Sequence, residues 1–275
     1  MKIPYYHIDA FASARFCGNP AGVCVLQDWL PGEVLQKIAF ENNLSETAFV
    51  VAHENLFELR WFTPVREVSL CGHATLAAAF VIFEYQGYTE PAIHFQSKSG
   101  VLTVTRDEGG ILVLDFPARS TEPCAAPDAL MQGLRKTPLE VRRAKSFMAI
   151  FARQEDIVSI KPDMQWLSQL DSSGIIVAAP GDTVDFVSRF FAPKLGIPED
   201  PVTGSSHCSL IPYWAERLSK RKLTAQQLSA RGGELFCEYV GERVKIGGRA
   251  VAYLTGEIEI GYPDLDGISR DADER

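Results

Sequence analysis

The chain has 275 residues, 46% hydrophobic and 23% charged, the composition of a globular protein with room for two domains of about 100 to 150 residues each. A formal net charge of -8, with Lys and Arg scattered apart from the run Lys220-Arg221-Lys222, excludes the basic footprint of a nucleic-acid binder. No apolar run approaches the roughly 18 residues a membrane span needs, and the start MKIPYYHIDAF is too polar and aromatic for a signal peptide, so a cytoplasmic protein without membrane partners is expected.

In chain order, the first patterned stretch is ETAFVVAHENLFELRWFTP, Glu46 to Pro64: a β-branched strand, a polar turn, a second strand, then Arg, two aromatics, a small residue and Pro. A short acid-containing loop leads to Gly72 and the stretch HATLAAAFVIFEYQG, which is apolar on nearly every side from His73 to Tyr85 and predicts a buried helix. FQSKSGVLTVTRDEGGILVLDFP follows as alternating strands joined at Gly-containing turns. The same order then recurs. GIIVAAPGDTVDFVSRFFAP, Gly174 to Pro193, matches the first strand pair; Gly204 and SSHCSLIPYWAERLSK match the helix; LSARGGELFCEYVGERVKIGGRAVAYLTGEIEI matches the strands after it.

A duplicated unit of this kind predicts an α+β protein of two similar pseudo-repeat domains, each a mixed or antiparallel barrel-like sheet wrapped round a central helix. The Pro- and Ala-rich stretch STEPCAAPDALMQ marks the boundary, giving domains 1–122 and 123–262, with the polar end 263–275 expected to be disordered. The six cysteines (Cys17, Cys24, Cys71, Cys124, Cys208, Cys237) contain no CxxC pair, so free thiols are expected, with neither a disulfide framework nor a metal site.

Gly72 and Gly204 open the two predicted helices, where backbone N–H groups lack intrahelical partners and a carboxylate can be held. If the halves are related by a pseudo-twofold, the two helix starts can face one cleft, although Ser205 and Ser206 also read as an ordinary N-cap. Glu46 and Asp200 are candidate proton carriers, since raising a carboxyl pKa by about two units costs only ~2.7 kcal/mol. The plainer readings are a capping box at Ser45-Glu46 and an Asp-Pro turn at Asp200-Pro201. His73, at a helix start whose dipole disfavours imidazolium, is a candidate to orient a substrate or relay a proton. Packing is the plainer role for His7 and His207, and His53 and His94 read as turn and strand surface residues. No GxGxxG follows a strand, which argues against a dinucleotide enzyme.

FCGNPAGVC, SETAFV, RWFTP with LCGHATLAAA, and EDPVTGSSH followed by SARGGEL together resemble the phenazine biosynthesis PhzF-like isomerase family, over the chain to about Gly261. The resemblance implies a diaminopimelate-epimerase-like fold and a cofactor-free isomerase that moves a proton on a carboxylate-bearing ring. It assigns catalysis to Glu46, His73 and Asp200, and substrate binding to Asn19, Pro20, Gly72, Gly204 and Ser205. It also suggests a homodimer. Amino-acid racemases of similar fold use two cysteines, of which Cys71 matches the first while Thr203 stands at the second, so a two-thiol racemase is not expected. A one-thiol epimerase or dehydratase using Cys71, with the thiol otherwise a small buried apolar residue, and a non-catalytic small-anion-binding protein remain as alternatives.

Overall fold

A computed structural model describes residues 1–53 and 56–261; the tail expected at 263–275 lies outside the described residues. In chain order come β1 (Lys2–Ala10), β2 (Asn19–Leu26), α1 (Gly32–Asn42), β3 (Glu46–Ala52), β4 (Phe57–Phe62), β5 (Glu67–Val68), α2 (Gly72–Tyr85), β6 (Ala92–Ser97) and β7 (Gly100–Arg106). There follow β8 (Leu112–Pro117), β9 (Glu122–Pro123), α3 (Asp128–Leu134), β10 (Glu140–Arg143), β11 (Phe147–Ile150), α4 (Gln154–Val158), α5 (Met164–Leu167), β12 (Ile175–Pro180), β13 (Phe186–Ala192) and β14 (Ile197–Asp200). The chain closes with α6 (Gly204–Leu218), β15 (Lys222–Gln227), β16 (Gly233–Val240), β17 (Arg243–Gly248) and β18 (Ala250–Glu259). Two compact units result: among the described residues, Met1–Ala10, Pro20–Leu112 and 250–261 form one, and Phe11–Asn19 with Val113–Arg249 form the other. The return of the last strand to the first unit has a direct cause, because β18 pairs antiparallel with β1 from Lys2↔Glu259 to Ala10↔Ala250.

The two units share their pairing scheme strand for strand. In the first, β2 and β3 run parallel, β3 and β4 antiparallel, β4 and β6 parallel, and β6 and β7 antiparallel. In the second, the same relations hold for β11 with β12, β12 with β13, β13 with β15, and β15 with β16. The short strands β5 and β14 likewise each pair antiparallel with the strand before them. The duplication legible in the sequence is therefore a duplication of hydrogen-bond topology, and the fold is α+β with mixed sheets.

Alternation along each sheet builds two apolar faces, because successive strand residues point to opposite sides. Phe49, Val51 and Phe62 pack with Leu35 and Ile38 of α1. The other face of the first unit meets α2, which packs against β1, β3 and β18 and buries Leu76, Ala77, Ala78, Ala79, Val81 and Ile82. A run of alanines lets that helix approach the strands closely on several sides, which is why it carries almost no polar face. In the second unit Ile175, Val177 and Ala179 join a core with Leu130, Ile157 and Leu167, from α3, α4 and α5. The helix α6 lies against β15, β16 and β17.

The Arg of each repeat motif has the same job. Arg60 Nε and Nη2 donate to Glu67 Oε1 and Oε2 at 2.8 and 3.0 Å, and Arg189 Nε and Nη2 donate to Glu199 Oε1 and Oε2 at 2.7 and 2.9 Å. These bidentate pairs fix the short strands β5 and β14 on which the loops to α2 and α6 begin. Arg189 additionally donates to the carbonyls of Ile157 and Ile160 at 3.1 and 2.8 Å. Truncating it leaves a half-buried carboxylate and two carbonyls without that donor. Arg189→Ala is therefore expected to lower unfolding stability by roughly 3–5 kcal/mol, and Arg60→Ala by clearly less, in urea denaturation followed by circular dichroism.

Candidate active site

Glu46 is the first residue of β3, paired in register with Ala21 of the parallel strand β2. It starts a strand rather than a helix, so the capping-box reading of Ser45-Glu46 does not hold. Its side chain is 14% exposed, and Oε2 lies 3.2 Å from Nε2 of His73. His73 is the second residue of α2 and is buried. Its pKa is pushed down to about 3 by burial. The cause is loss of water around the ring, and the imidazole is neutral at physiological pH.

On the opposite edge of the ring, Nδ1 of His73 lies 3.5 Å from Cys71 Sγ. Cys71 is the N-cap residue of α2 and makes no side-chain cap hydrogen bond. Its carbonyl accepts from both the backbone N–H and the hydroxyl of Thr75, at 3.1 and 2.6 Å, so its position is fixed. The thiol is thus buried, as expected, but it is a polar partner of His73 and not only an apolar filler. Glu46, Cys71 and His73 have donor atoms within 4.8 Å of one another. The thiol and the carboxylate lie by opposite ring nitrogens, and the 3.2 Å approach of Glu46 Oε2 to His73 Nε2 is a close contact of the two groups without hydrogen-bond geometry.

The second unit carries its own cluster. Asn19, the buried first residue of β2, donates through Nδ2 to Asp200 Oδ1 at 2.8 Å and to the Val202 carbonyl at 2.9 Å. Thr203 Oγ1 donates to Asp200 Oδ2 at 2.5 Å. Gln227 closes the ring of contacts: Oε1 accepts from Thr203 N at 2.9 Å, and Nε2 donates to the Asp200 carbonyl at 2.8 Å. Asp200 is raised to about 6, first by burial, with the Thr203 and Asn19 hydrogen bonds opposing and the Glu199 charge adding to the rise. A carboxyl poised there exchanges its proton near neutral pH, which an ordinary Asp-Pro turn residue does not.

The remaining expected residues fall near these clusters in sequence but differ in setting. Pro20 follows Asn19 in β2; Gly72 and Gly204 are the first residues of α2 and α6. Ser205 is exposed, and neither it nor Ser206 caps α6: the N-cap is Thr203, without a side-chain cap bond, while Ser206 Oγ donates back to the Thr203 carbonyl at 2.8 Å. His207 packs as expected, with Nδ1 donating to the Thr203 carbonyl at 2.9 Å and the ring beside Phe186. His53 and His94 are exposed. Thr203 and Gln227 escaped sequence reasoning. In the sequence Thr203 stands out only as the residue at the second cysteine position, and Gln227 gives no local signal, because its role arises from the pairing that brings β15 beside β13.

Comparison with known proteins comes down on one family. The model described as phenazine biosynthesis-like protein matches residues 8–256. An uncharacterized isomerase of Pseudomonas aeruginosa is 51% identical over 263 residues, covering 94% of this chain and 100% of that protein. A second from the same organism is 47% identical over 260 residues, with the same coverage of 94% and 100%. The crystal structure of a PhzF-family phenazine biosynthesis protein of Enterococcus faecalis superposes with a TM-score of 0.93 at 49% identity, covering 94% of this chain and 100% of that one. Among the described residues, no helix is long and apolar enough to cross a membrane.

The raised pKa of Asp200 has a consequence for stability that can be measured. The folded carboxyl holds its proton up to about pH 6 while the unfolded one releases it near 3.8, so this residue costs stability progressively as pH rises through that window. Asp200→Asn keeps the shape and removes the charge. It is expected to be more stable than the parent by roughly 1–3 kcal/mol at neutral pH, with the gain vanishing in the acid range, as read from denaturation midpoints against pH.

Proposed function

The chain belongs to the phenazine biosynthesis-like protein family, and from that premise we propose that it is an isomerase that removes and returns a proton on a small carboxylate-bearing substrate without metal or organic cofactor. Glu46 is the proton carrier. The observation that carries this reading is the contact at 3.2 Å between its Oε2 and a histidine that burial keeps neutral. A neutral imidazole packed against a carboxylate brings no standing positive charge that would lower its basicity.

Asp200 is the second titrating group, whose setting keeps it half-protonated near pH 6 and hence able to donate to an oxygen on which charge develops. Asn19 and Thr203 aim its carboxyl, and Pro20 shapes the chain beside Asn19. The first-turn N–H groups at Gly72, Gly204 and Ser205 are assigned to the substrate carboxylate, neither helix start being closed by a side-chain cap. The relatives named as isomerases support the reaction class. The thiol alternative is the weaker one, because a ring held down to about 3 does not supply the imidazolium that would stabilise a Cys71 thiolate. Six free thiols accord with a reducing compartment, and we assign the protein to the cytoplasm, working as a homodimer, whose mass in solution light scattering tests.

Incubation in D₂O with a panel of small unsaturated and amino carboxylates tests the function. Deuterium uptake by at least one substrate, detected by mass, is the expected result. Glu46→Gln should reduce its rate by roughly 10² to 10⁴ while leaving binding nearly intact. Binding without exchange across the panel would instead make the protein an anion binder, and full activity in the Gln variant would remove Glu46 from the mechanism.

A further inference from the structure

The stretch SARGGEL, Ser229 to Leu235, has no role in the reading above, yet the turn it forms reaches both chain segments that meet at Asp200. It joins β15 to β16, and the residues it touches here all belong to the second unit. On one side it holds the segment that carries Asp200. Gln227, the last residue of β15, accepts from Thr203 N and donates to the Asp200 carbonyl, and Ser229 Oγ donates to the Pro201 carbonyl at 2.9 Å. On the other side it holds the segment that leads into Asn19. Arg231 Nε donates to the Gly18 carbonyl at 2.8 Å, and its Nη2 donates to the Cys17 carbonyl at 3.0 Å. Gly18 N donates to the Gly232 carbonyl at 2.7 Å, a close backbone approach for which both glycines take the left-handed conformation, at φ 68° and 66°.

Asn19 must be placed closely, because its one amide nitrogen serves two acceptors at once, Asp200 Oδ1 at 2.8 Å and the Val202 carbonyl at 2.9 Å. We propose that Arg231 is a positioning residue: its guanidinium fork, seated on two consecutive carbonyls, holds the chain just before Asn19 against the turn that also holds residues 200–203, and so keeps the Asn19 amide on the Asp200 carboxyl. A lysine offers a single point charge and does not span two carbonyls in fixed geometry. Arg231 acts through Asn19 and not through its own charge, since burial, the Thr203 and Asn19 hydrogen bonds and the Glu199 charge are what set the acidity of Asp200. Glu199 has both oxygens on Arg189 and is untouched by Arg231. The hydrogen bond from Asn19 favours the ionised carboxyl, so its loss makes Asp200 a weaker acid still. The catalytic consequence rests on Asp200 being the donor of the proposed isomerase, whereas its titration does not.

The test reads the two separately. Protein labelled with ¹³C at the aspartate carboxyls, with the Asp200 signal assigned by its loss in Asp200→Asn, reports the titration in the absence of any substrate. The parent midpoint is expected near pH 6. Arg231→Ala and Asn19→Ala should each raise it by roughly half to one pH unit, the worth of one ordinary hydrogen bond, and Arg231→Lys should move it in the same direction. The double variant Arg231→Ala with Asn19→Ala should go no further than Asn19→Ala alone. In proton exchange, the alkaline limb of the kcat profile should move up by the same amount in the Arg231 variants, with KM nearly unchanged; a merely structural loss would lower kcat at every pH and leave the limb in place. A midpoint unmoved or lowered in either Arg231 variant, or shifts that add in the double variant, would overturn the proposal. Should Arg231→Ala fail to fold, Arg231→Lys carries the same comparison. A limb that does not follow the titration removes Asp200 as the donor and leaves the positioning result standing, so the two ideas fall independently.

Discussion

Burial of α2 from its very first turn is the constraint on which the chemistry of the first unit depends. A helix that began in solvent would leave His73 free to protonate, and the histidine would then neutralise Glu46 as an ion pair. Here the helix is apolar on nearly every side, so its first turn is enclosed along with the rest, and His73 pays the desolvation that holds it neutral. The alanine-rich sequence that reads as mere packing thus sets the protonation state of the residue beside the carboxylate.

The second unit applies the same physical lever to the opposite charge type. Withdrawal from water disfavours the charged form of any group: it pushes a histidine down and an aspartate up. His73 and Asp200 are shifted in these two directions by one cause. Their environments differ in what is added to burial. The hydrogen bonds from Asn19 and Thr203 pull Asp200 part of the way back, so it comes to rest near neutrality instead of being locked as an acid.

The architecture was legible in the sequence because repetition is a long-range signal carried in local patterns: two strand pairs ending in Arg, aromatics and Pro, two apolar helices behind a glycine, and alternating strands after each. The same holds for Glu46, His73 and Asp200, which stand at the starts of those elements or just before them. What local pattern does not encode is pairing between distant strands. Gln227 meets Thr203 only because β15 runs parallel to β13, and Asn19 meets Asp200 across 181 positions of sequence. A helix dipole and burial both favour a neutral His73, and of the two the burial is visible only in the structure.

The two helix starts diverged in a way that bears on the direction of proton movement. Cys71, Gly72 and His73 of the first repeat stand against Thr203, Gly204 and Ser205 of the second. A racemase with a base on each half needs titratable groups at matched positions, but Thr203 spends its hydroxyl on Asp200 and cannot ionise near neutral pH. The symmetry of the scaffold therefore does not extend to the chemistry. On the proposed reading a single carboxylate must both take and give back the proton, so the hydrogen returns to the face of the substrate from which it left. Such a carrier is suited to shifting a proton between two atoms of one face, and poorly suited to inverting a single carbon.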